Sequence, residues 1–106
     1  YFVKYARLVG QVPGFGSANL ATRFSEFEPI EYALRFKKMA GWLWIDYFTH
    51  YPLTSSHLKQ LGDHFKLCLV SPELQGHPIS EIEVLKKEIQ EHPISAVCTK
   101  YPERWL

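Results

Sequence analysis

Cysteine is scarce in this chain of 106 residues: only Cys68 and Cys98 occur, both inside apolar runs. Two such thiols build neither a disulfide framework nor a four-ligand zinc module, so they read as small buried side chains in a reducing compartment. An excess of either charge is also lacking, and a formal net charge of +1 removes the electrostatic case for a nucleic-acid partner. No apolar run approaches the roughly 20 residues of a membrane span, and the opening residues are not expected to be a secretory leader. The expected location is the cytoplasm. The first residue is Tyr1 rather than Met, so the natural start is expected elsewhere. Histidines at metal spacing are missing too. His50, His77 and His92 fall beside loop positions, and His57 and His64 flank one short helix. None makes a His-Glu-x-x-His pattern, and they read as single surface histidines.

What is present is apolar. The chain is 46% hydrophobic and 15% aromatic, which requires a packed core and a single domain, or part of one, over residues 1–106. Residues 65–70 form a continuous apolar run with one Lys, as in a strand buried on both faces, and Ser71, Pro72 and Glu73 follow at once. A buried strand opening abruptly into a polar loop is how α/β folds build sites at the carboxyl ends of their strands. The same design recurs, which predicts strands near 20–25, 42–48, 65–71 and 94–99.

Between these strands the helix signals are local. Pro29 opens a helix striped by Ile30, Ala33 and Leu34. Thr54 or Ser55 caps the next, Leu58 and Leu61 face inward, and Gly62 ends it. Ser80-Glu81-Ile82-Glu83 has the form of a capping box, with Ile79 and Val84 as its staple and Ile82, Leu85 and Ile89 as the apolar stripe. Residues 1–10 suit a short helix. The Gly14-Phe15-Gly16-Ser17 stretch follows it and leads into a strand, the reverse of a dinucleotide fingerprint, and reads as a flexible connection. Arg104-Trp105-Leu106 reads as a turn closing over the end.

The fold class that follows is α/β, with parallel strands alternating with helices in four αβ units. Repeats of roughly 20 to 30 residues resemble those of a (β/α)8 barrel, about 31 residues each, so four units make its C-terminal half. A small flavodoxin-like domain is the competing architecture. A half barrel leaves open sheet edges, so self-association or pairing with the missing half is expected. Strand parity gives candidate site residues. Arg23 and Asp46 are each the lone charge of a strand, and adjacent parallel strands bring them together on the inner face. Either they form a structural ion pair, or Arg23 is aimed at an anionic ligand and held by Asp46. Ser71, Glu73, Thr99 and Lys100 complete a polar ring at the strand exits, which Glu26 and Glu28 can join; the alternative is that these are solvated loop charges, the reading favoured for Glu28.

These motifs resemble a known family. The block Ile94-Ser95-Ala96-Val97-Cys98-Thr99-Lys100-Tyr101-Pro102-Glu103-Arg104 resembles the last strand of glycerophosphodiester phosphodiesterases, where an apolar strand runs into Thr-Asp-x-Pro; Lys100 stands in place of that Asp. The blocks Arg23-Phe24-Ser25-Glu26-Phe27-Glu28-Pro29, Trp44-Ile45-Asp46-Tyr47-Phe48-Thr49 and 66–76 resemble a divergent bacterial subgroup of this PLC-like phosphodiesterase family. The resemblance covers most of the chain, as the C-terminal half only. It implies a (β/α)8 phosphoric diester hydrolase with a small phosphodiester substrate and a divalent metal, Ca or Mg. The family's His-Arg-Gly, Glu-x-Asp and second His come from its N-terminal strands, and neither motif occurs here. The resemblance therefore leaves the catalytic residues unknown. It implies a substrate-side wall of Arg23, Asp46, Ser71, Glu73 and Lys100, with Glu26 toward the metal. A non-catalytic binding or structural barrel module that pairs with another copy is the alternative.

Overall fold

The computed structural model describes residues 2–3 and 20–106. Its sheet contains β1 (Phe2–Val3), β2 (Ala21–Phe24), β3 (Trp42–Ile45), β4 (Lys66–Val70) and β5 (Ile94–Thr99), in the spatial order β1-β5-β4-β3-β2. The four strands β2 to β5 are parallel and lie in sequence order. Helices α1 (Ile30–Leu34), α2 (Ser55–Leu61) and α3 (Glu81–Glu88) connect them. The fold is thus α/β, with parallel strands alternating with helices.

Side-chain alternation separates two faces. Phe24, Leu43, Ile45, Leu67 and Leu69 point one way and form a single core with Ile30 and Ala33 of α1, Leu61 of α2 and Leu85 of α3. All three helices therefore cover the same face. Right-handed crossovers between strands laid down in sequence order require that, and it is the singly wound pattern of a barrel rather than the two-sided pattern of a flavodoxin-like sheet. Each fully buried Leu or Ile here contributes about 1.5–3 kcal/mol of apolar transfer energy. The opposite face holds a smaller cluster of Trp42, Cys68 and Ala96, with Trp44 packed against it.

β5 breaks strict alternation. Leu67 pairs with Ile94, but Cys68 pairs with Ala96, so Ser95 is an extra residue in the ladder. This bulge lets both Ile94 and Val97 pack against the helix-side core, which a period of two forbids.

The structure corrects several local expectations. Phe2–Val3 is a strand, antiparallel to Thr99 and Cys98, where a helix over 1–10 was expected. The remainder of that helix and the glycine-containing loop before residue 20 lie outside the described residues. Ser80 does not cap α3: its φ of −59° and ψ of −21° are already helical, and its side chain makes no capping bond. The reason is the preceding turn, in which Glu81 and Ile82 donate backbone N–H to Pro78 and Ile79, so the chain enters the helix already wound. Val84 is exposed and cannot staple to Ile79. The reciprocal capping box belongs instead to α2. Thr54 accepts from the His57 N–H at 3.2 Å while His57 Nδ1 accepts from the Thr54 N–H at 3.1 Å. Gly76 ends the 3-10 turn Pro72–Gln75 with φ of +85°, a conformation that any side chain would strain.

Candidate functional site

Four strand exits meet at the carboxyl edge of the sheet, and polar side chains join each to the next. From β2, the Glu26 side chain crosses to the β3 exit. Its Oε2 accepts from the Thr49 N–H at 2.5 Å, the His50 N–H at 3.1 Å and the Thr49 hydroxyl. From the β4 exit, Gln75 reaches back to β3, donating to Asp46 Oδ1 at 3.0 Å and accepting from the Tyr47 N–H at 2.5 Å. Also from that exit, Glu73 reaches forward to β5. It accepts from the Thr99 hydroxyl at 2.5 Å, the Lys100 N–H at 2.9 Å and the Ser71 hydroxyl. The 3-10 turn Pro102–Trp105 closes over this corner, with the Trp105 indole donating to Ser71 Oγ at 3.1 Å.

Arg23 and Asp46 come together as parity requires. The Arg23 Nε lies 3.5 Å from Asp46 Oδ2 and 3.4 Å from Glu28 Oε1. They differ in burial: the Asp46 side chain is 7% exposed, whereas Arg23 is 58% exposed and lies with its guanidinium 5.9 Å from the Phe48 ring centre. The expectation of two inward charges holds for Asp46 only; Arg23 sits on the edge strand, where nothing described covers it as β4 covers β3. Asp46 also accepts from the Trp44 indole at 3.2 Å.

The electrostatics separate the three carboxylates. Burial pushes Asp46 up from the usual carboxylate value and prevails over the opposing bond from Gln75, the Arg23 charge and the Trp44 bond. Burial also raises Glu73, but there the hydrogen bonds from Ser71, Thr99 and the Lys100 N–H prevail and its pKa is lowered. Glu26 goes furthest. Against the burial that raises it, bonds from the Thr49 hydroxyl and from the backbone N–H groups, those of Thr49 and His50 among them, hold its pKa at about 2. Cys68 is pushed up to about 12 by burial and by Cys98, and burial and the Glu73 charge raise Cys98 as well, which suits packing rather than nucleophilic roles.

The expected site residues thus divide. Ser71 and Glu73 share one buried network with Thr99, and Lys100 enters it through its backbone N–H. Arg23 and Asp46 form a second group, which Gln75 bonds from the same turn that carries Glu73. Glu26 stands apart as a loop anchor. The divalent metal implied by the family resemblance does not find a ligand set here, since among the described residues no three His, Cys, Asp or Glu converge as a metal site would. No motif marks Gln75, because a neutral amide reaching across two loops has no local signature. His77 likewise turns out to be built in, with Nε2 at 2.7 Å from the Phe48 carbonyl and Nδ1 at 3.1 Å from Glu81. His92 packs on Tyr51, whose hydroxyl is 2.6 Å from its Nδ1. No family model, curated protein or solved structure matches this chain. Among the described residues no helix is long and apolar enough to cross a membrane.

Proposed function

We propose that this chain is the C-terminal, substrate-side half of a (β/α)8 phosphoric diester hydrolase of the glycerophosphodiester phosphodiesterase kind, not active by itself. The observation that carries the reading is Arg23. It is a half-exposed guanidinium at the carboxyl edge of a parallel sheet, oriented through its Nε by Asp46 and Glu28. Such a fixed, accessible Arg suits a phosphate ester. The ligand is a small phosphodiester, the metal is Ca or Mg held by residues of the other half, and the compartment is the cytoplasm. β2 supports the pairing. It is the outer strand of the sheet, and its edge groove is lined by Leu20, Arg23, Tyr32, Phe36 and Met39. Leu20, Tyr32 and Met39 are each more than half exposed. In a closed barrel the preceding αβ unit covers that edge.

A thermal melt with sn-glycerol 3-phosphate tests the reading. A ligand at tenfold its Kd stabilises by about 1.4 kcal/mol, so the parent melts several degrees higher and Arg23→Met loses the shift. No shift in the parent, or an equal shift in Arg23→Met, refutes it. A second reading, a non-catalytic barrel module that pairs with another copy, draws support from the engagement of Glu26, Asp46 and Glu73 in joining loops.

A further inference from the structure

His50 differs from the other described histidines in that one of its ring nitrogens meets a hydroxyl that is itself bonded to a carboxylate. Thr49 Oγ1 lies 2.9 Å from His50 Nδ1 and also donates to Glu26 Oε2. Glu26 is anionic, with a side chain only 8% exposed, and an ionised carboxylate can only accept. A hydroxyl has one proton. With that proton on Glu26, Thr49 Oγ1 must receive rather than give at His50, so Nδ1 carries the hydrogen. In the neutral ring Nε2 is then a bare lone pair, on a side chain that is 67% exposed. The loop holding it is the β3 exit, where Phe48 stacks on Phe27 of the β2 exit at 5.7 Å and lies beneath Arg23.

We infer that Glu26, Thr49 and His50 form a hydrogen-bond relay, one that orients the ring without itself moving a proton, which fixes the tautomer of His50 and presents its Nε2 as a proton-accepting site at the mouth, for a ligand that brings an O–H group or water. In the transfer, the proton leaves the ligand oxygen, which keeps the electron pair, and binds Nε2. The ring becomes imidazolium with Nδ1–H still on Thr49, and the Glu26 carboxylate, 3.8 Å away, balances the new charge. A second feature marks this corner as unfinished: Glu26 Oε1 is buried with no hydrogen-bond partner among the described residues, an acceptor left for a further donor. The relay does not depend on the phosphodiester reading, because the tautomer is set by the chain's own groups.

Long-range 1H–15N spectra of the imidazoles in mildly alkaline solution read the tautomer directly. The parent shows His50 protonated at Nδ1, Thr49→Ser retains that form, and Thr49→Val shifts the ratio toward Nε2–H by about fivefold, the worth of one ordinary hydrogen bond. Carbethoxylation of His50 by diethyl pyrocarbonate, mapped by peptide mass, slows in Thr49→Val, by less than that factor because the rate follows the fraction of rings with Nε2 free rather than the ratio, and does not slow in Thr49→Ser. An Nε2–H form in the parent overturns the relay. So does a Thr49→Val protein whose tautomer and reaction rate match the parent.

Discussion

Glu73→Gln is close to isosteric, and the structure makes it a severe change. Ser71 Oγ accepts from the Trp105 indole at 3.1 Å, and Thr99 Oγ1 accepts from the Tyr101 N–H at 3.0 Å. Each hydroxyl therefore has its proton free for one direction only, toward Glu73. Ser71 and Thr99 are 0% and 2% exposed, so neither can turn to water. A carboxamide offers one oxygen. Facing Thr99 and Lys100, it keeps those bonds without their charge, and its NH2 then meets the Ser71 O–H donor to donor. Losing charge assistance at two bonds and leaving one buried donor unpaired costs about 2–4 kcal/mol. For a domain of this size that is a fall in Tm of roughly 8–30 °C, at about 4–8 °C per kcal/mol. Circular dichroism melts of parent and variant at neutral pH provide the assay. The pH dependence follows from the lowered pKa of Glu73. Its contribution is fully present above the unfolded carboxylate value and is lost as pH falls through the folded one, so the gap between the two proteins closes on acidification. A variant melting within about 3 °C of the parent at neutral pH, below what one buried hydrogen bond is worth, refutes the network.

Two further expectations come from the same rim. Asp46 has a raised pKa, so the sign reverses: its contribution is present below the unfolded value and lost as pH rises through the folded one. Asp46→Asn therefore stays within about 1 kcal/mol of the parent at neutral pH and loses ground to it in acid, opposite in slope to Glu73→Gln; equal slopes for the two variants would contradict the assignment. Cys68, buried with its thiol pushed up to about 12, reacts with an aromatic disulfide reagent only after denaturation, and rapid labelling of the native chain would show otherwise.

The strands were legible because each is an apolar run with an abrupt polar exit, and a lone charge in such a run has to face something. That is why Arg23 and Asp46 could be paired from parity and adjacency, and they lie 3.5 Å apart. The helix entrances were less legible. Ser80 carries the letters of a cap but sits in a turn already wound from Pro78, while Thr54 finds its reciprocal partner in a His rather than the usual Glu or Gln. The rim was legible only in part. Glu73 lies two residues from Ser71, so their association shows in the sequence, but the arrival of Thr99 depends on β5 packing beside β4. Glu26 was expected toward a metal, whereas its Oε2 takes three donors from the Thr49–His50 segment. Nothing local separates these roles, since both call for a carboxylate in a loop.

The links between exits run in series, β2 to β3 through Glu26, β3 to β4 through Gln75, and β4 to β5 through Glu73. The loop amides of Tyr47, Thr49, His50 and Lys100 are thus held by side chains from neighbouring strands, not by ladder bonds of their own. Opening one loop breaks a link at its neighbour, which joins the mouth into one mechanical unit. That unit can open at the cost of a few hydrogen bonds while the sheet stays closed. A ligand that clamps one exit therefore also holds the side chains on which its neighbours' loop amides depend.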